Sequence, residues 1–210
     1  MLIQILIGLG LIAALAFLPL ARGGNTMPRT LIKTIPLCAF ALAGIVASAP
    51  WLLVAGLALS AVGDFMLSRD GEPSFLIGLV AFAVAHLAYI ANFSLAAGLW
   101  PWQALFIATI PALILLAIVV STETWLAPHA GDMRWPIRGY ALVIGLMGWS
   151  ALLEPLGLGT LGAALFIASD LLLAIDLFRL KPDAPARKLT SYPLWALYIA
   201  GQFCLLLAGI

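Results

Sequence analysis

The stretch FLIGLVAFAVAHLAYIANF, residues 75–93, decides the fold. Nineteen consecutive residues without a formal charge, at a rise of 1.5 Å each, make a helix of about 28 Å, close to the ~30 Å of bilayer hydrocarbon. The stretch shows none of the alternation of polar and apolar positions that a membrane β-strand needs. A soluble helix would show a polar face, and here only His86, Tyr89 and Asn92 interrupt the apolar run.

Working outward, similar runs recur along the whole chain. Of 210 residues, 64% are hydrophobic and 9% charged, which excludes a soluble globular domain and predicts a polytopic, all-α membrane bundle. We place eight spans, at residues 2–20, 31–48, 51–68, 75–97, 103–121, 137–153, 159–178 and 192–209. Pro, Gly and Asn mark the short connections, as in GGNTMPRT, RDGEPS and KPDAPARK, so residues 1–210 are expected to form one transmembrane domain with no soluble partner domain. No Lys or Arg precedes the first apolar run, so Ala14-Leu15-Ala16 is not expected to be a signal-cleavage site. Cys38 and Cys204 fall inside spans and are expected to pack as small hydrophobes, and the glycosylation sequon Asn92-Phe93-Ser94 is discounted because it lies within the fourth span.

Orientation follows from the ten basic residues. Arg22, Arg29 and Lys33 belong to the first connection, Arg69 to the third, Arg134 and Arg138 to the fifth, and Arg179, Lys181, Arg187 and Lys188 to the seventh. The positive-inside rule therefore puts the odd connections in the cytoplasm and both termini on the non-cytoplasmic side.

Two carboxylates lie where a carboxylate is costly: Asp64 in LALSAVGDFMLS and Asp170 in GAALFIASDLLLAID. An ionisable group at membrane depth costs several kcal/mol and is a functional-site candidate by default. Counting from the cytoplasmic ends of the spans puts Asp64 roughly 6–8 Å deep, Asp170 roughly 12 Å, and Tyr198 and Gln202, one turn apart on one face, about 9 and 15 Å. His86 comes near mid-span, with Tyr89 one turn further. These depths overlap, so Asp64, His86, Tyr89, Asp170, Tyr198 and Gln202 are expected to share one polar chamber facing the cytoplasmic leaflet, with Lys33 and Arg69 at its mouth. Asp176 lies near the interface beside Arg179 and is a further candidate. Glu123, His129, Asp132 and Glu154 fall in connections and are expected to be solvated.

A chamber of this kind suits acid–base chemistry, and equally a small proton- or cation-coupled transporter that uses the same carboxylates; the residues alone leave both open. No metal or cofactor is expected. Two histidines cannot make a three-histidine zinc site, and there is no glycine-rich phosphate loop, Gly-x-Ser-x-Gly elbow or Cys-x-x-Cys pair. No nucleic-acid partner is expected, and the oligomeric state is left open.

Four strings, SAVGDFML (60–67), FLIGLVAFAVAHLAYI (75–90), GAALFIASDLLLAIDLF (162–178) and YIAGQ (198–202), resemble in order and spacing the YhhN-like membrane proteins, the lysoplasmalogenases. Lys33, followed by Pro36 and Leu37, is similar to the family's lysine-containing second span. The family tends to have paired tyrosines before the glutamine, whereas here Tyr198 is followed by Ile199. The resemblance implies an eight-helix enzyme, expected in the bacterial inner membrane, that takes a lysophospholipid from the bilayer. It would hydrolyse the vinyl ether to a fatty aldehyde and glycerophosphocholine or glycerophosphoethanolamine. On that reading Asp64 and Asp170 are the catalytic pair and His86 assists. Tyr89, Tyr198, Gln202, Lys33, Arg69 and Asp176 then bind substrate.

Overall fold

The computed structural model describes residues 1–181 and 184–210, and every regular element among them is helical. Eight long helices are α1 (Leu2–Phe17), α2 (Met27–Val46), α3 (Trp51–Leu67), α4 (Glu72–Ala97), α6 (Thr109–Trp125), α7 (Arg134–Ala151), α8 (Leu158–Phe178) and α9 (Pro185–Ala208), and one turn, α5 (Ala104–Ile107), precedes α6. Six stretches of 19 to 26 residues are long and apolar enough to cross a membrane, which makes this a polytopic helical membrane protein. The other two of the eight expected spans fall short of that measure for physical reasons. Helix α3 has only 17 residues, about 25 Å of helix, and α7 carries Arg134 and Arg138 in its opening turns.

The fifth span, expected to be continuous over 103–121, is broken instead. Helix α5 ends at Ile107, Ala108 takes φ −135° and ψ 57°, and α6 restarts at Thr109. Pro111 accounts for the break, because its ring would collide with the carbonyl of residue 107 in a continuous helix, while the first turn of a new helix accepts it. Pro36 and Pro193 lie inside α2 and α9.

Helix α2 packs on α3, α3 on α4, α4 on α7, α7 on α8, and α8 on α9, which returns to α2 and α3. These six close a ring. Helix α1 lies outside against α2, and α6 lies outside against α7. The first and final long helices are stitched together by Trp195 Nε1, which donates to the Ala14 carbonyl at 2.9 Å.

Close approach is obtained from glycine. A Cβ built on Gly56 would stand 2.2 Å from the Tyr89 ring, and one on Gly63 2.5 Å from the Phe82 ring, so two α4 aromatics seat directly on the α3 backbone. On the other side of the ring Gly162 and Gly201 bring α8 and α9 into backbone contact: a Cβ on either would meet the carbonyl of the other within 3 Å. Without a hydrophobic drive between helices in lipid, such small-residue contacts supply the van der Waals packing that holds them together.

The connections that carry basic residues meet in pairs. Asn25 in the α1–α2 connection donates to Asp70 in the α3–α4 connection, and Arg179 at the end of α8 reaches the Trp125 carbonyl at the end of α6.

Candidate active site

A cavity of about 240 Å³ lies within the ring and extends to α6. Its wall is mainly Leu, Ile, Val, Phe and Ala from α3, α4, α6, α7, α8 and α9, and its charged groups are Lys33, Asp64 and Asp170. Asp64 and Asp170 come from helices far apart in sequence and line this one cavity. On α8 the lining runs from Ile167 through Asp170 and Leu173 to Phe178, roughly 16 Å of helix.

Asp64 is 2% exposed. Its Oδ1 lies 3.1 Å from Lys33 Nζ, and its Oδ2 accepts a 2.7 Å hydrogen bond from Tyr198 Oη. Both oxygens are therefore acceptors for outside donors. Lys33, expected at the mouth, lines the cavity six residues into α2 and reaches Asp64, three residues from the end of α3.

Asp170 is less enclosed, with 16% of its side chain exposed. Its Oδ2 accepts a hydrogen bond from Tyr140 Oη, and His86 Nε2 stands 3.0 Å from that same hydroxyl and 3.9 Å from Oδ2. His86 is fully buried, is not part of the cavity wall, and its Nδ1 has no hydrogen-bond partner among the described residues. The Phe166 ring stands between the two carboxylate clusters, with its centroid 4.6 Å from His86 and 5.3 Å from Tyr198.

Tyr89 and Gln202 pair with each other. Tyr89 Oη donates to Gln202 Oε1 at 2.7 Å, both are fully buried, and neither lines the cavity. Arg69 and Asp176 also lie outside the cavity wall. Arg69 stacks over the Phe65 ring and touches Met27 Sδ. Asp176 accepts from Thr190 Oγ1 at 2.6 Å and pairs with Arg187 Nε at 3.3 Å, which ties α8 to α9. Of the expected site residues the cavity thus gathers Lys33, Asp64, Asp170 and Tyr198, with His86 one hydroxyl behind. Of the four residues expected to be solvated, Glu123, His129 and Asp132 are exposed and Glu154 is half-buried. Glu123 pairs with Arg138, His129 rests against Arg179, and Glu154 is partly buried in the α7–α8 connection, where desolvation pushes its carboxyl above the usual glutamate range.

Tyr140 is the site residue that sequence reasoning passed over. The signal was available: it is a tyrosine inside a span, one turn in from the predicted start at residue 137, within the depth range that singled out Asp64 and Asp170. No group of three His, Cys, Asp or Glu side chains that could hold a metal occurs among the described residues.

Residues 28–209 match the model of the YhhN family. Lysoplasmalogenase TMEM86B of Mus musculus is 34% identical over 166 residues, covering 78% of this chain and 65% of its own length. Lysoplasmalogenase of Mycobacterium bovis is 32% identical over 163 residues, covering 75% and 59%, and lysoplasmalogenase TMEM86B of Homo sapiens is 36% identical over 130 residues, covering 60% and 51%. The chain spans between half and two-thirds of the length of these curated relatives. No solved structure matches it.

Proposed function

We propose that this chain, which belongs to the YhhN family, is an intramembrane hydrolase that cleaves the vinyl ether of a lysoplasmalogen to a fatty aldehyde and glycerophosphocholine or glycerophosphoethanolamine. The observation that carries this reading is one cavity, apolar over most of its wall, with two carboxylates in different surroundings on it. An amphiphile fits such a space: its chain lies against Leu, Ile and Phe while its polar end reaches Asp64 and Asp170. The relatives' printed name, lysoplasmalogenase, supports the choice of bond.

A vinyl ether hydrolyses by proton transfer to its β-carbon. The carbon–carbon π electrons take the proton and the ether oxygen lone pair forms an oxocarbenium ion. Water adds at that carbon and loses a proton, and the hemiacetal collapses to aldehyde and glycerol hydroxyl. The task needs an acid, a base for water and negative charge beside the cation, which two carboxylates can divide between them. Asp64 has both oxygens occupied by donors and so has no proton to give; it serves as the anion beside the oxocarbenium and as base for water. Asp170, whose contacts all fall on Oδ2, is the acid.

The site works in the membrane with both termini on the non-cytoplasmic side, eight spans, and the chamber open to the cytoplasmic leaflet of the inner membrane. The test is aldehyde release from purified protein given lysoplasmalogen in deuterated water. The expected product carries one deuterium on the carbon next to the aldehyde. Asp64→Asn and Asp170→Asn should each lower kcat by on the order of 10²- to 10⁴-fold. Full turnover in either variant, or an aldehyde without deuterium, overturns the two-carboxylate mechanism.

A further inference from the structure

We propose that Tyr140 and His86 form a closed proton store for Asp170, with Tyr140 as the single link between His86 and the cavity. The proposal rests on the hydrolase reading above for its catalytic meaning, and on hydrogen-bond bookkeeping for its existence.

A tyrosine hydroxyl has one proton. Tyr140 gives it to Asp170 Oδ2, so the 3.0 Å contact with His86 must be made by Nε2–H donating to the Tyr140 oxygen. This fixes the direction of the chain: His86 Nε2–H to Tyr140 Oη, Tyr140 O–H to Asp170 Oδ2. The far ring nitrogen, Nδ1, is buried and meets no partner among the described residues, and His86 has no exposed surface. A proton on His86 therefore enters and leaves through Tyr140.

The step balances. From imidazolium, neutral tyrosine and carboxylate, the Nε2 proton moves to the Tyr140 oxygen while the Tyr140 proton moves to Asp170 Oδ2. The result is neutral His86 protonated on Nδ1, Tyr140 again neutral, and Asp170 as the acid. After Asp170 gives its proton to the vinyl ether carbon, Asp64 takes a proton from the attacking water and passes it to the glycerol oxygen as the hemiacetal collapses, while the hemiacetal hydroxyl proton goes to Asp170 and returns to His86 by the reverse path. No oxidant or outside base is needed. An imidazole suits this place because its unperturbed pKa lies near neutrality.

Other groups around the store have their own partners. Asp64 on α3 is held by Lys33 of α2 and by Tyr198 of α9, and Tyr89 on α4 is committed to Gln202. Phe166 stands between the His86 ring and Tyr198, and the Tyr89 ring packs beside His86 at 6.4 Å. His86 and Tyr140 act through Asp170 and are positioning residues, not groups that attack the substrate.

Two measurements test this. In turnover, Tyr140→Phe keeps the ring and deletes the link. We expect kcat lower by on the order of 10²-fold with KM held within about twofold, the His86 limb absent from the pH profile, and no further loss when His86→Gln is added. Independently of turnover, a His129→Asn background leaves one imidazole for ¹⁵N NMR, since the chain has two histidines. There Asp170→Asn should move the His86 titration midpoint further when Tyr140 is present than in Tyr140→Phe, where only the charge across the 3.9 Å gap acts. Unchanged kcat and pH profile in Tyr140→Phe, losses that multiply in the double variant, or the same Asp170 dependence with and without the hydroxyl each overturn the store. If the parent protein releases no aldehyde, the hydrolase reading fails and the NMR measurement alone decides whether the three groups share protons.

Discussion

A buried carboxylate in a membrane survives only with donors around it, and Asp64 has two. Removing one partner of such a pair leaves an uncompensated charge in a low-dielectric setting. Lys33→Met is expected to lower stability by about 3 kcal/mol, and adding Asp64→Asn should restore part of the loss, because the stranded charge is then gone. Thermal unfolding in detergent measures both. At this scale the carboxylates were legible because charge in an apolar run is conspicuous. Their partners were harder to read. Tyr140 carries no charge and sits where a membrane tyrosine is ordinary. Arg69 and Asp176 have chemistry suited to the site, yet Arg69, past the end of α3, lies against Phe65 and Met27, and Asp176 on α8 turns to Thr190 and Arg187; depth arithmetic carries no information on direction.

Helices were legible from apolar run length, and their limits shifted where local chemistry intervened. Pro111 splits the fifth span, which a count of apolar residues does not register although the proline itself stands in the sequence. The small residues beside the aspartates were readable as packing surfaces, but their partners emerge only from the fold: aromatic rings for Gly63, a facing glycine for Gly162. This gives an element-scale expectation. Gly201→Val forces a side chain against the Gly162 carbonyl and the Phe166 backbone nitrogen, where nothing flexible can yield. We expect α8 and α9 to separate at a cost of about 1–3 kcal/mol, with Tyr198 drawn off Asp64 and turnover lost. Gly8, whose Cβ would meet open space inside α1, is the control, and Gly8→Ala should leave activity unchanged and hold or raise the unfolding temperature.

For the whole molecule, the ten basic residues give a reading of orientation from charge alone, and the fold joins the connections that carry them in pairs, the first to the third and the fifth to the seventh. A reporter that is active only outside the cytoplasm should therefore signal when fused after residue 210 and stay silent when inserted in the α6–α7 connection near Asp132. The opposite pattern would place the cavity on the other leaflet. Closure of the ring could not be foreseen, because nothing in a run of apolar residues says which distant helix it will meet. That closure also bears on biogenesis. Helix α9 brings Tyr198 to Asp64 and Trp195 to α1, and it is the helix that leaves the ribosome after all the others described. A nascent chain that has threaded seven long helices into the bilayer still holds an unfinished chamber, with Asp64 braced by Lys33 alone. Until α9 enters the membrane, the cavity lacks the wall and the Tyr198 donor that this helix brings.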